Sequence, residues 1–285
     1  MDVPRAARLQ TRLVTVVLIV GLAILARPEV EAGEVPPPNI RARAAVIYNP
    51  TTGKVLWGEN AQEQRPIASL TKVMTAIVFM EPHPDLTSEA VVADSDVRRV
   101  SITYLRRRER VSVNDLLHLA LIASDNGAAR VLARISPWGT VGFIKRMNEK
   151  ARELGLLSTR LTDPAGLLAS NVSSAYDLSR LIAYASRNAQ IAEIMRKKSY
   201  RIRTNRRRIT LRNTNKLLGG DFDVRAGKTG YIRRAGFCLA ALLQLPESDP
   251  VAVVILGARS NSGRFREARR LVDWFMSQSQ IIRDD

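Results

Sequence analysis

The stretch Pro66-Ile67-Ala68-Ser69-Leu70-Thr71-Lys72-Val73-Met74-Thr75-Ala76 decides how the rest of the chain is read. Proline followed by small residues predicts a loop, and Leu70, Val73, Met74 and Ile77 recur at helical spacing, so the loop runs into a helix. Ser69 and Lys72 stand three residues apart and share one helix face, where their heads can meet. A serine hydroxyl is a weak nucleophile until a base removes its proton, and a lysine amine can do so once burial lowers its pKa. Ser69 also falls near the helix N-terminus, where free backbone N–H groups favour developing negative charge. Alone, Ser-x-x-Lys is more often a solvated pair than a catalytic one. Partners elsewhere in the chain have to decide.

The 285 residues suffice for one large domain with a full core, and 46% hydrophobic with 25% charged residues is an ordinary globular composition. A single cysteine, Cys238, excludes an intrachain disulfide, yet a core of this size does not need one even outside the cell. The net charge of +17 suits an anionic partner. Part of it is concentrated in Arg106-Arg107-Arg108-Glu109-Arg110 and in Arg206-Arg207-Arg208. No helix-turn-helix, zinc or aromatic-stacking pattern accompanies these runs, so nucleic acid is not the expected partner. Solvated loop faces, and electrostatic contact with anionic envelope polymers and lipids, are.

Residues 1–32 read as a signal peptide. Arg5, Arg8 and Arg12 precede an apolar run from Leu13 to Ala26, and Val30-Glu31-Ala32 offers a small-residue cleavage site. The run falls short of the roughly 20 apolar residues a membrane span needs. Export to the periplasm or cell envelope is expected, with membrane association only if the segment is not cleaved. A linker with Val35-Pro36-Pro37-Pro38 occupies 33–43, and the folded domain is expected over 44–279. It opens with a hairpin: Ala44–Tyr48 and Lys54–Trp57 flank the turn residues Asn49-Pro50-Thr51-Thr52-Gly53. Helices follow, one beginning at Ser112-Val113-Asn114-Asp115 with serine as N-cap, others over Val141–Leu154 and Ser174–Ala185. Strand patterns return at Tyr200–Arg203, Arg208–Leu211, Phe237–Leu243 and Val251–Leu256. Phe265, Ala268, Leu271, Val272 and Phe275 then stripe a final helix. Strands at both ends of a helical middle predict a mixed α/β (α+β) fold, one sheet covered by helices.

Two polar groups stand out where the chain should be packing. Ser124-Asp125-Asn126 follows an apolar helix, and in a turn its hydroxyl and amide can face a cleft; a polar helix terminus is the plainer reading. Gly227-Lys228-Thr229-Gly230 offers a cation and a hydroxyl suited to a carboxylate beside glycines that allow close approach, or merely a tight turn at a strand edge. It is not a phosphate-binding loop, because Phe222 stands where that motif needs its first glycine.

Ser-x-x-Lys, Ser-Asp-Asn and Lys-Thr-Gly, once each and in that order, form the set found in class A β-lactamases and penicillin-binding proteins. From about Ala44 to Trp274 the chain resembles the low-molecular-mass penicillin-binding proteins, the serine D-alanyl-D-alanine carboxypeptidases and endopeptidases of cell-wall metabolism. Met147-Asn148-Glu149-Lys150-Ala151 with Leu154-Gly155, Asp163-Pro164-Ala165-Gly166-Leu167, and Tyr231 with Ala235-Gly236 carry the likeness further. The resemblance implies an antiparallel sheet flanked by helices with a helical subdomain. It implies that Ser69 attacks the carbonyl between two D-alanines of a peptidoglycan stem peptide, with Lys72 as base. Ser124 would relay the proton, and Asn126 would orient Lys72 and the substrate amide. Lys228, Thr229 and Gly230 would bind the carboxylate, with backbone N–H groups of Ser69 and Tyr231 as oxyanion hole. Arg259 matches a family position near that carboxylate, while Ile232 departs from the threonine frequent after Lys-Thr-Gly-Tyr. β-Lactam antibiotics would be covalent inhibitors, and neither a cofactor nor a metal is expected.

A class A β-lactamase also needs a glutamate in a Glu-x-x-Leu-Asn segment roughly 36 residues after Ser-Asp-Asn. Ser158 to Leu168 contains none. A Ser-His-Asp hydrolase would have to recruit His83 or His118, and no Gly-x-Ser-x-Gly elbow surrounds a serine. An inactive envelope-binding module is the alternative from another class, opposed by three intact motifs. Terminal carboxypeptidase activity stays ahead of cross-link endopeptidase activity, although Ser170–Ser174 and Arg212-Asn213-Thr214-Asn215 resemble the endopeptidase branch.

Overall fold

Apolar runs that alternate between two cores make the centre of the fold. The computed structural model describes residues 37–246 and 248–284, with side chains as far as 278, so the expected signal peptide lies outside the described residues. Strands β1 (Ala44–Asn49) and β2 (Lys54–Glu59) form the expected hairpin. A short β3 (Arg65–Pro66) and a 3-10 turn over Ala68–Leu70 lead into α1 (Thr71–Met80). Then come β4 (Glu89–Val91), α2 (Asp94–Val97), β5 (Arg110–Ser112), α3 (Val113–Ile122), α4 (Asn126–Ile135) and α5 (Gly139–Glu153). The two-residue β6 (Val172–Ser173) precedes α6 (Ala175–Ser186), α7 (Ala189–Arg196) and a hairpin of β7 (Ser199–Arg203) with β8 (Arg208–Arg212). The chain ends in β9 (Asp223–Ile232), β10 (Gly236–Gln244), β11 (Val251–Ala258) and α8 (Asn261–Asp284).

The main sheet is antiparallel, in the order β2-β1-β11-β10-β9. Its middle strands read as unbroken apolar runs because both faces are buried. Ala44, Val46, Ala240, Ala252 and Val254 face one core, which the helices of the middle of the chain complete. Ala45, Ile47, Leu239, Val253 and Ile255 face the other, closed by Phe265, Ala268, Leu271 and Val272 of α8. Strand period and helix stripe therefore agree. Truncating a side chain such as Leu239 at this centre is expected to destabilise by about 2–5 kcal/mol.

Local chemistry sets the helix starts. Ser112 caps α3 by accepting from Asp115 N–H at 3.1 Å, and Ser174 caps α6 through Asp177 N–H at 3.0 Å. Three helices had no sequence expectation: the short α2, and α4 and α7, which Asp125 and Asn188 cap. Lys228-Thr229-Gly230 belongs to neither a turn nor a strand terminus: it lies within the ten-residue β9, at the edge of the sheet. An edge strand leaves one row of backbone groups unpaired by the sheet, and here that edge runs beside the turn carrying Ser69.

Candidate active site

Ser69 sits in the 3-10 turn just before α1, after Ala68 at φ +50°. That left-handed conformation is costly for a residue with a Cβ, and packing from two sides holds it. On one side is Gly166, also left-handed (φ +78°), where an added Cβ would stand 2.0 Å from the Ala68 carbonyl oxygen. On the other is Gly230 of β9, where a Cβ would meet the Ile67 carbonyl at 2.9 Å and the Ser69 nitrogen at 3.1 Å. Only glycine lets both segments come this close.

One turn further, Lys72 is fully buried. Its Nζ lies 2.9 Å from Ser69 Oγ, 2.7 Å from Asn126 Oδ1 and 2.6 Å from the Ala165 carbonyl oxygen. Burial lowers its pKa to about 7, against the opposing pull of the Asp125 and Asp163 carboxylates. A neutral amine has two N–H groups and one lone pair. With the N–H groups donated to Asn126 and Ala165, the lone pair is left facing the Ser69 hydroxyl, which then donates. Such a pair can pass a proton without any histidine.

The Ser124-Asp125-Asn126 turn joins α3 to α4. Ser124 is buried and left-handed (φ +60°), and Asn126 starts α4 with its amide on Lys72. Asp125 explains why the turn keeps its shape: one carboxylate oxygen caps α4 through Ala128 N–H at 2.8 Å, and the other accepts from Tyr104 N–H at 2.5 Å. Its burial raises its pKa. The Ala165 carbonyl is fixed in turn by Asp163, which accepts from Ala165 and Gly166 N–H, each at 2.7 Å, and from Leu168 N–H at 2.9 Å. Neither aspartate stood out in the sequence as a scaffold, though Asp163-Pro164-Ala165-Gly166 has the look of a capped turn.

Lys228 is buried like Lys72, and its Nζ donates to the Thr229 carbonyl at 3.2 Å. Burial, then the positive charges of Lys72 and Arg264, hold its pKa well below the lysine range. Thr229 Oγ1 donates to Thr214 Oγ1 at 2.7 Å, and Tyr231, stacked on Phe237, is exposed at the strand end. Ser69, Lys72, Asn126 and β9 are thus brought together. Arg259 is exposed at the end of β11 and makes no hydrogen bond or ion pair among the described residues. A second arginine, Arg264, buried on α8, donates to the Gly230 carbonyl at 2.9 Å and the Cys238 carbonyl at 3.1 Å. Its burial lowers its pKa to about 10. An arginine directly before the apolar stripe of α8 was the signal that could have found it.

His118 is occupied elsewhere: its ring stacks on Tyr200 at 3.6 Å and Nδ1 donates to the Asn114 carbonyl at 2.8 Å. Among the described residues no group of three or more His, Cys, Asp or Glu could hold a metal ion.

A family model described as D-alanyl-D-alanine carboxypeptidase (peptidase S11) matches residues 31–260. The chain belongs to this family. D-alanyl-D-alanine endopeptidases of Pseudomonas aeruginosa and Escherichia coli are 34% and 35% identical, covering 90% and 83% of the chain and 84% and 78% of their own lengths. The crystal structure of the Streptomyces K15 DD-transpeptidase superposes with a TM-score of 0.79 at 26% identity, over 85% of this chain and 100% of that one. This D-alanyl-D-alanine carboxypeptidase family member therefore shares the expected fold, a mixed α/β structure with an antiparallel sheet flanked by helices.

Proposed function

We propose that the protein is an exported serine D,D-peptidase that cleaves the bond after the penultimate D-alanine of peptidoglycan stem peptides. Ser69 Oγ attacks the carbonyl carbon as its proton passes to Lys72. Backbone N–H groups of Ser69 and Tyr231 receive the oxyanion. The tetrahedral intermediate collapses with a proton delivered through Ser124 to the leaving D-alanine nitrogen, and an ester on Ser69 remains. Water, deprotonated by the same Lys72, hydrolyses the ester. Asn126 orients Lys72 and the substrate amide, while Lys228 and Thr229 hold the terminal carboxylate. The observation that carries this reading is the fully buried Lys72 amine, 2.9 Å from Ser69 Oγ with its pKa lowered to about 7. β-Lactams would acylate the same serine.

Carboxypeptidase activity is the first reading, supported by the family description. Cross-link endopeptidase activity is the second, supported by the names of the two bacterial relatives. Both use the same atoms and differ in what occupies the leaving-group side. Residence in the periplasm or envelope accords with the expected signal peptide and with a net charge of +17.

Fluorescent penicillin should label the purified protein covalently, and Ser69→Ala should not be labelled. Absence of label on the wild type would overturn the peptidase reading. Incubation with a pentapeptide and, separately, with a cross-linked dimer then separates the two activities by which product is released.

A further inference from the structure

The β7–β8 hairpin has an inner face that the core explains and an outer face that it does not. Ile202 and Leu211 are buried, and Tyr200 stacks on His118. The exposed positions alternate with these, and the outer face is Ser199, Arg201 and Arg203 on one strand against Arg212, Thr210 and Arg208 on the other. Four of its six side chains are arginines. Arg203 and Arg208 are directly opposed, a like-charge cross-strand pair that destabilises a hairpin. None of the four pairs with a carboxylate among the described residues. Sheet geometry makes this a strip about 14 Å long and about 5 Å wide. Its shape and direction narrow what it could bind.

Three features distinguish the strip from a merely solvated charge run. It carries no apolar side chain that could insert into a bilayer, which disfavours a lipid surface. It leads into the cleft: two residues beyond Arg212, Thr214 shares a hydrogen bond of 2.7 Å with Thr229. It is also anchored to the Ser-Asp-Asn region, since Arg207 in the hairpin loop pairs with the buried Glu109 at 2.9 Å and donates to the Tyr104 carbonyl, whose own N–H is held by Asp125.

We propose that Arg201, Arg203, Arg208 and Arg212 form an accessory site for a carboxylate-bearing peptide strand of the wall polymer, lying alongside the cleft and continuous with it. The inference rests on the D,D-peptidase reading. Stem peptides carry free carboxylates along their length, whereas a minimal acyl-D-alanyl-D-alanine carries only its terminal one. Planar guanidinium forks are matched to such groups. The strip would therefore favour long or cross-linked substrate over a minimal peptide.

The test replaces all four arginines by glutamine. Penicillin labelling and turnover of a minimal acyl-D-alanyl-D-alanine should be unchanged. KM for an acidic cross-linked dimer should rise roughly fifteenfold at low salt with kcat constant, the product of four exposed ion pairs each worth about a factor of two. The difference should vanish at about 0.5 M salt, where the Debye length is only a few ångströms. If labelling persists and KM for the dimer does not move, the strip proposal fails while the peptidase reading stands; if wild type is not labelled, the peptidase reading fails first. Lost binding to phosphatidylglycerol vesicles with an unmoved KM would assign the strip to lipid and overturn the proposal. Arg203→Gln, which relieves the like-charge pair, guards against misfolding and should raise KM for the dimer about twofold.

Discussion

Two clusters of cations in this molecule are built on opposite principles. On the outer side of α5, Arg146 and Lys150 share the carboxylates of Glu81 and Glu153: Arg146 reaches Glu81 at 2.7 Å, and Lys150 reaches Glu81 and Glu153 at 2.6 Å each. There the pKa of Lys150 is raised, because hydrogen bonds and charge from Glu153 and Glu81 outweigh partial burial. At the foot of the cleft, Lys72 and Lys228 are buried with neutral oxygens as hydrogen-bond partners, and both pKa values fall. A lysine with a matched carboxylate stabilises structure and is chemically inert. A lysine deprived of one is a base or an unfilled anion site. The cleft thus holds Lys72 as an amine against Ser69 and leaves Lys228 without a carboxylate partner among the described residues.

The sharpest way to break this comparison is to exchange the two lysines for methionine in turn. Lys72→Met should lower the rate of penicillin acylation by about 10³-fold or more, within the range for loss of a general base from a serine nucleophile. Lys150→Met should leave that rate within a factor of two of wild type. Stopped-flow or gel-based labelling reads both. Equal effects from the two substitutions would mean that the contrast in environment has no bearing on chemistry.

What could be read before the structure follows the same division between local and non-local causes. The β1–β2 hairpin, the two central apolar strands and the stripe of α8 are periodic patterns over short windows, and each appears where it was expected. The motif order suggested which polar residues to bring together. The reasons they meet were not legible, because they are long-range: the Ala165 carbonyl on Lys72, Gly230 against Ser69 N, and Arg264 beneath Gly230. The helix α4 escaped because it begins inside Ser124-Asp125-Asn126, which reads as a turn, and contains a glycine, Gly127. Lys228-Thr229-Gly230 did not read as a strand because glycines at both ends mimic turn chemistry, whereas here Gly230 lets β9 approach the Ile67–Ser69 backbone and Gly227 makes room for the Asn215 side chain.

A second effect, smaller than the kinetic one, concerns stability against pH. The folded-state pKa of Lys72 is depressed from 10.5 to about 7, so between these values the unfolded chain binds a proton that the native chain does not. Stability from this group is therefore lowest below pH 7 and rises by up to about 1.4 kcal/mol per pH unit until the window closes near pH 10.5. Lys72→Met lacks that slope. Urea denaturation should find the variant more stable than wild type by roughly 1–4 kcal/mol at pH 6.5, and the advantage should shrink steadily toward pH 10. A pH-independent difference would mean that Lys72 keeps its proton in the native state, and the lone-pair geometry at Ser69 would fail with it.

The smallest effect belongs to the paired cluster and has the opposite sign. Hydrogen bonds from Arg146 and then Lys150 hold the Glu153 carboxyl down at about 2, from an ordinary 4.5. A depressed carboxylate contributes stability above its unfolded pKa and loses it as pH falls through the folded one. Glu153→Gln should therefore be slightly less stable than wild type from pH 5 upward, by about 2 °C in Tm or less because the group is half exposed. The two melting curves should converge as pH falls from 5 to 2. Moderate salt should reduce the gap at pH 7, since exposed pairs are screened, while leaving the Lys72 slope nearly intact because a buried group is not. A salt response of the same size at both sites would show that water reaches Lys72, and the difference between the two clusters would then be one of degree only.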